Sequence, residues 1–210
     1  MKIFAALFAI LILSHPTFGF GGPAPKAPEA KANDQIIDNF ESGKFSNWWT
    51  FGNISLQLVA GKDSRYALAL TGTSRDWYIG GIGFYIGKDA SKYGSLDMDV
   101  YGTGKDSGTL KIELYEDDNG NWQIEQDPNK GYAPIKDDRF VYELKIDWNG
   151  FKHISIPFSE FVDNNPESGD NVWNPQQTGG SGGLAQMQFV VSSTSKTGAA
   201  NLALDNIELQ

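Results

Sequence analysis

The 210-residue sequence has no cysteine and two histidines, one of them, His15, close to the N-terminus. The first absence rules out a disulfide scaffold and a lipoprotein acylated on cysteine. Together they rule out zinc sites of the usual histidine and cysteine kind, which need several such ligands. Cys-His catalysis lacks its nucleophile, Ser-His-Asp catalysis would have to rest on His153 alone, and no G-x-S-x-G nucleophile elbow is present. A lone histidine on a strand is more often structural than catalytic.

Long apolar runs are also missing. The longest, Ile3 to Leu13, has eleven residues, too few to span a bilayer. With Lys2 before it and Thr17-Phe18-Gly19 after it, it reads as a secretory signal over residues 1–19, cleaved after Gly19. The product is expected to be secreted, periplasmic or at the cell surface, with no membrane contact after cleavage.

Basic residues are the third shortage. There are 17 Lys and Arg against 26 Asp and Glu, a net charge of −9. Without Lys2 the 16 remaining bases face 26 acids, giving −10. A charge of that sign excludes nucleic acid and anionic membranes as partners and suits neutral polymers or cations.

Nucleotide loops are absent too. "GTGK" (Gly102 to Lys105) lacks the phosphate-loop spacing, and "GGIGFYIG" (Gly80 to Gly87) lies inside an apparent strand. Both read as turn or bulge glycines. Paired carboxylates of a glycosidase are not excluded this way. Asp97, Asp99, Glu113, Glu116, Glu125 and Glu143 are available, and their spacing in the fold would decide. Acids on wet strand faces are usually just solvated.

What is present is glycine, aromatics and alternation. Residues 20–33, "FGGPAPKAPEAKAN", show no apolar period and read as an extended linker. Residues 34–210 then form one domain, large enough for a core without disulfides. Leu96, Met98 and Val100 alternate with Asp97, Asp99 and Tyr101. Leu110, Ile112 and Leu114 alternate with Lys111, Glu113 and Tyr115, and the same period runs through 140–146, 154–158 and 187–191. Each is a strand with one wet face. Turn signals at "GTGKDSG", "DDNGN" and "DWNG" separate them. About ten short antiparallel strands with 24 glycines predict an all-β fold, a two-sheet β-sandwich or jelly roll. Helical turns are expected only near 159–162 and 90–93. Residues 164–183 make a long polar loop of the kind that is functional or mobile.

There are 13 Phe, 8 Tyr and 6 Trp. Phe40, Trp49, Phe84, Phe140 and Phe189 sit at core parity or beside strand ends. Tyr101 and Tyr115 point away from the core among acids and amides. An exposed ring can stack on the C–H face of a pyranose while polar groups bond its hydroxyls. Aromatic pairing within the sheet is the equal alternative.

Four stretches carry a family resemblance. "IIDNFESGKFSNWW" (from Ile36), "DASKYGSLDMDVYGTG" (from Asp89), "WNGFKHISIPFSEF" (from Trp148) and "ALDNIEL" (from Ala203) resemble, in that order, the motifs of galactose-binding-like jelly-roll carbohydrate-binding modules. The similarity is to the family-eleven glucan-binding modules, with complex-I-assembly-type domains behind them. It implies a jelly roll binding a polysaccharide such as a β-glucan; the protein is expected to bind without cleaving it and to be a monomer. It also implies a structural calcium where first and last strands meet, at Glu41 and Asp205, with Asp38 as a further candidate. Calcium takes six to eight hard oxygens. Tyr101, Tyr115 and Trp77 are the expected stacking platforms, and Asp99, Glu113, Lys111 and His153 the expected hydroxyl partners. Family members usually ride on a glycoside hydrolase, and this chain carries no such domain. A surface assembly protein that keeps the sandwich without the sugar site is therefore the second expectation, and a weak glycosidase the third.

Overall fold

The computed structural model describes residues 35–105 and 107–210. The expected signal peptide and linker lie outside the described residues. The alternating stretches become two six-stranded antiparallel sheets. One contains β1 (Gln35–Asp38), β3 (Ile54–Val59), β4 (Ala67–Ser74), β6 (Ser95–Thr103), β11 (Asn149–Pro157) and β14 (Gly198–Leu209). Its order is β11-β6-β14-β4-β3, with β1 also paired to β14. The other contains β2 (Trp49–Gly52), β5 (Tyr78–Lys88), β7 (Gly108–Asp117), β10 (Asp138–Ile146), β12 (Val162–Asp163) and β13 (Gly183–Ser192). Its order is β12-β10-β7-β13-β5-β2. A small hairpin pairs β8 (Gln126–Asp127) with β9 (Ala133–Pro134) around a 3-10 turn at Pro128–Lys130.

The described residues thus hold fourteen strands where about ten were expected. The difference lies in β8, β9 and β12, of two residues each, and β1 and β2, of four. Elements that short are too brief to show a period of two. A 3-10 turn forms at Phe158–Glu160, near the expected place. Residues 90–93 close as a turn, with the Tyr93 N–H donating to the Ala90 carbonyl at 3.1 Å, and are not helical.

The core is what alternation predicts. Leu96, Met98 and Val100 from one sheet and Leu110, Ile112 and Leu114 from the other are fully buried in a single cluster. Each such side chain contributes about 1.5–3 kcal/mol relative to exposure. Phe40, Phe140 and Phe189 join it and Phe84 packs against it. Trp49 does not. In the pair Trp48-Trp49 it is Trp48 that enters the core, stacked 5.8 Å from Phe189, while Trp49 lies on the outer surface of β2 at 38% exposure. Trp49 opens β2 and Trp48 precedes it; in extended chain successive side chains face opposite sides, so one tryptophan goes each way.

The first and last strands are neighbours, as the family resemblance implied: Gln35 faces Leu209 and Asp38 faces Ile207.

Candidate functional site

The outer face of the second sheet carries a groove of about 670 Å³. Strand register builds its floor row by row. Trp49, Gly83, Gln188, Glu113 and Val141 lie side by side across β2, β5, β13, β7 and β10. Phe51, Gly81, Val190, Lys111 and Glu143 form the next row. The glycines at 81 and 83 decide how the rings lie. A Cβ at 81 would sit 2.5 Å from Phe51 Cζ, and one at 83 would run into the Trp49 indole. Both rings therefore rest on bare β5 backbone, lying over the sheet instead of standing off it. Tyr78 adds a third ring, 50% exposed.

One wall is the β8–β9 hairpin. Gly131, at φ +64°, and Tyr132, at φ +59°, turn the chain in the left-handed region. Tyr132 is left 63% exposed over the groove, beside Gln126. Burial, together with the nearby charge of Glu113 and the Tyr132 phenol, holds the Tyr78 hydroxyl above its ordinary pKa, which ties these three groups together in space. Beside the groove, the Tyr85 hydroxyl donates to the Trp122 carbonyl at 3.4 Å, and both rings are about half exposed.

The polar part of the floor is centred on Glu113. Its Oε2 accepts the Tyr115 hydroxyl at 2.6 Å. Its Oε1 lies 2.7 Å from Lys111 Nζ and 4.0 Å from an Arg139 guanidinium nitrogen. Arg139 also donates to Asn164 Oδ1 at 2.7 Å, while its buried Nε has no partner. Burial and Glu113 push the Tyr115 phenol well above the usual tyrosine range. The groove therefore presents flat apolar rings beside fixed donors and acceptors. That combination suits a ligand with apolar faces and hydroxyl edges.

Of the residues named from sequence, Lys111, Glu113 and Tyr115 line this groove. Tyr115 does so from underneath: it is 1% exposed, so it orients Glu113 and offers no platform of its own. Trp77 stands at the far end, where a second hollow of about 450 Å³ shares Tyr78, Lys111 and Val190 with the first. Tyr101, Asp99 and His153 are elsewhere, on the outer face of the opposite sheet. There Tyr101 packs edge-on against Phe151 at 5.1 Å, within a small cluster with Ala67, Ala69 and Ala203. His153 lies 3.3 Å from Asp97 and 3.4 Å from Asp99. Asp99 also takes Lys62 at 3.2 Å and the Asn206 amide at 2.9 Å. These groups satisfy one another. The seven expected residues do not form one site, because β6 and β7, adjacent in sequence, enter different sheets.

Trp49 was expected in the core, and Phe51, Tyr78 and Tyr132 escaped the sequence reading. One signal was available: glycines at alternate, outward positions of one strand, 81 and 83, mark where rings from a neighbour will lie.

Near the junction of first and last strands, Asp205 is fully buried. Its Oδ2 accepts the Ser64 hydroxyl at 2.6 Å and its Oδ1 the Asn206 N–H at 2.8 Å. Glu41 Oε1 accepts the Tyr66 N–H at 2.8 Å, so Glu41 and Asp205 flank the same 64–66 turn. Burial, with the charges of Asp99 and Glu41, pushes the Asp205 carboxyl up to about 6. Asp38 is engaged otherwise: its two oxygens accept the Phe40 N–H at 2.8 Å and Trp48 Nε1–H at 2.9 Å. A tighter acid cluster lies elsewhere among the described residues. Glu116, Asp118, Asp138 and Asp170 bring oxygens within 4.8 Å of one another, an arrangement that could hold a metal ion.

No protein-family model matches the chain, and no curated protein does. Solved structures do. One is a family 11 carbohydrate-binding module from Clostridium thermocellum in complex with a β-1,3-1,4-mixed-linked tetrasaccharide. It is 20% identical with a TM-score of 0.57, over 84% of this chain and 94% of that one. Another is the family 11 module of the cellulosomal cellulase Lic26A-Cel5E of the same organism, 19% identical with a TM-score of 0.55, over 86% and 95% of the two chains. The chain has the jelly-roll sandwich fold of these modules.

Proposed function

We propose that this protein is a secreted, monomeric, non-catalytic module that binds a polysaccharide of the β-glucan type along the groove of the second sheet. The observation that carries the proposal is the floor itself. The rings of Trp49 and Phe51 rest on the glycines of β5, next to the Lys111–Glu113–Arg139 group. Rings lying over the sheet give a glycan chain apolar faces to stack on, and the charged group bonds its hydroxyl edges. The jelly-roll fold shared with glucan-binding modules supports the same ligand class. The groove is open and not filled by its own side chains, which counts against the surface-assembly alternative.

Binding without cleavage is supported by the acids. Among the described residues Glu113 is the one carboxylate lining the main hollow, and it is engaged by Tyr115 and Lys111; Glu143, in the next floor row, lines the adjoining hollow. A glycosidase needs two carboxylates spaced by roughly 5–9.5 Å across the scissile bond.

In this reading calcium adds a structural tie at Glu41 and Asp205. The donors there are hard oxygens around a buried carboxylate whose neighbours are also negative, which fits a hard cation. Asp38, the further candidate, accepts the Phe40 N–H and Trp48 Nε1–H in the same region.

Affinity electrophoresis through gels cast with soluble glucans tests the binding proposal. Retardation on mixed-linkage glucan, lost in Trp49→Ala, is the expected result. Free migration on every glucan would overturn it.

A further inference from the structure

The cluster of Glu116, Asp118, Asp138 and Asp170 is separate from both the groove and the 64–66 turn, and its geometry is costly without a counter-charge. Glu116 and Asp138 face each other directly across β7 and β10, where like charges destabilise a sheet. Asp138 is the decisive member. It is fully buried, and neither carboxylate oxygen has a hydrogen-bond partner. The N–H groups of Asn171 and Val172 lie near enough to favour its charge but do not bond to it. A buried, unpartnered carboxylate costs several kcal/mol in a fold unless something pairs with it. Here it is aimed at three further carboxylates.

The long loop is built around the same point. Gly169, at φ +68°, has no room for a side chain: a Cβ would strike Asp138 Oδ1 and sit 2.6 Å from Asp118 Oδ2. Glu116 accepts the Asn174 N–H at 3.0 Å, and Asp118 Oδ2 accepts the Asp138 N–H at 2.9 Å. Burial, with the neighbouring charges, pushes Glu116 up to about 9, Asp118 to about 7 and Asp138 to about 6.

We propose that Glu116, Asp118, Asp138 and Asp170 bind a divalent cation that fastens the 164–183 loop to the end of the second sheet. The donors are all carboxylate oxygens, so the ion is hard and of the calcium class, not a thiolate- or imidazole-seeking transition metal. Asp170 is the loop's own ligand, and the other three come from β7, the residue after it, and β10. The cation supplies the positive charge that this part of the protein lacks, and it couples the order of the loop to metal.

The test uses the mature protein stripped of metal with chelator and titrated with calcium chloride in a calorimeter. Asp170→Asn changes an exposed residue and keeps the fold; Asp138→Asn removes the buried ligand. Each is expected to abolish, or weaken by roughly tenfold or more, one calcium-binding event that Glu41→Gln leaves intact. Hydrogen–deuterium exchange gives the second readout: calcium should slow exchange across 164–183 in the parent protein and not in Asp170→Asn. Neither readout involves a glycan. Unchanged calcium stoichiometry and affinity in both variants would overturn the proposal, as would calcium binding that leaves exchange of the loop unaltered.

Discussion

The glycine-backed ring at Trp49 allows a sharp test by double-mutant cycle. Trp49 is 38% exposed and rests on Gly83. Truncating it to alanine removes one stacking platform, an effect of about 1.5–3 kcal/mol on the scale of burying one large side chain. That is roughly 10- to 150-fold in Kd. Gly83→Ala leaves the indole in place chemically but puts a methyl group where the ring lies. Because β2 is an edge strand, the indole can swing outward, so the loss of affinity should be of the same order while the fold survives. Overpacking would cost about 1–3 kcal/mol of stability. The two changes act on one platform, so the double variant should bind no more weakly than Trp49→Ala. Calorimetry with a soluble mixed-linkage glucan measures all four corners, and thermal unfolding checks the fold. Additive losses would show that glycine 83 does not work through the ring. Unchanged affinity in Trp49→Ala would refute the groove altogether.

Other outcomes follow from the same geometry. Tyr101→Ala and His153→Ala, on the opposite face, should leave glucan affinity within twofold in the same titration, while Tyr101→Ala loses roughly 0.5–1.5 kcal/mol of aromatic pairing in thermal unfolding. Glu113→Ala strands the Tyr115 hydroxyl and Lys111. It should destabilise the fold by about 3–5 kcal/mol, the cost of removing one partner of a buried pair, seen as a lowered denaturant midpoint. Tyr115 is held above its ordinary value of 10.0 by burial and then by Glu113, so the folded state keeps a proton that the unfolded state releases. Its contribution is complete below about pH 10 and is lost as pH rises beyond that. Between pH 9 and 11 Tm should fall less steeply in Tyr115→Phe than in the parent protein, and equal slopes would contradict the assignment.

Much of the fold was legible because a period of two is a local property. Leu96, Met98 and Val100 declared their inward face without reference to any partner, and "IIDNF" and "ALDNIEL" announced strands that do pair. The acids and tyrosines between them announced only an outward face, and a sandwich has two of those. Tyr101 and Tyr115 carry the same signal in sequence, yet one is locked in a small cluster and the other lies beneath a groove. Adjacent strands crossed between sheets, and no local pattern records that crossing.

The sequence by itself determined the all-β class, the alternation that fills the core and the acidic surface, since each follows from residue type and spacing along one strand. Tertiary structure alone decided which outer face holds the rings, that Trp48 goes in and Trp49 out, and that Asp170 meets Glu116, Asp118 and Asp138. Those outcomes depend on strand order and register, which bring together residues far apart in the chain, such as Glu116 and Asp170. The energy that selects the register is the burial of both inner faces at once, a quantity that no single segment contains.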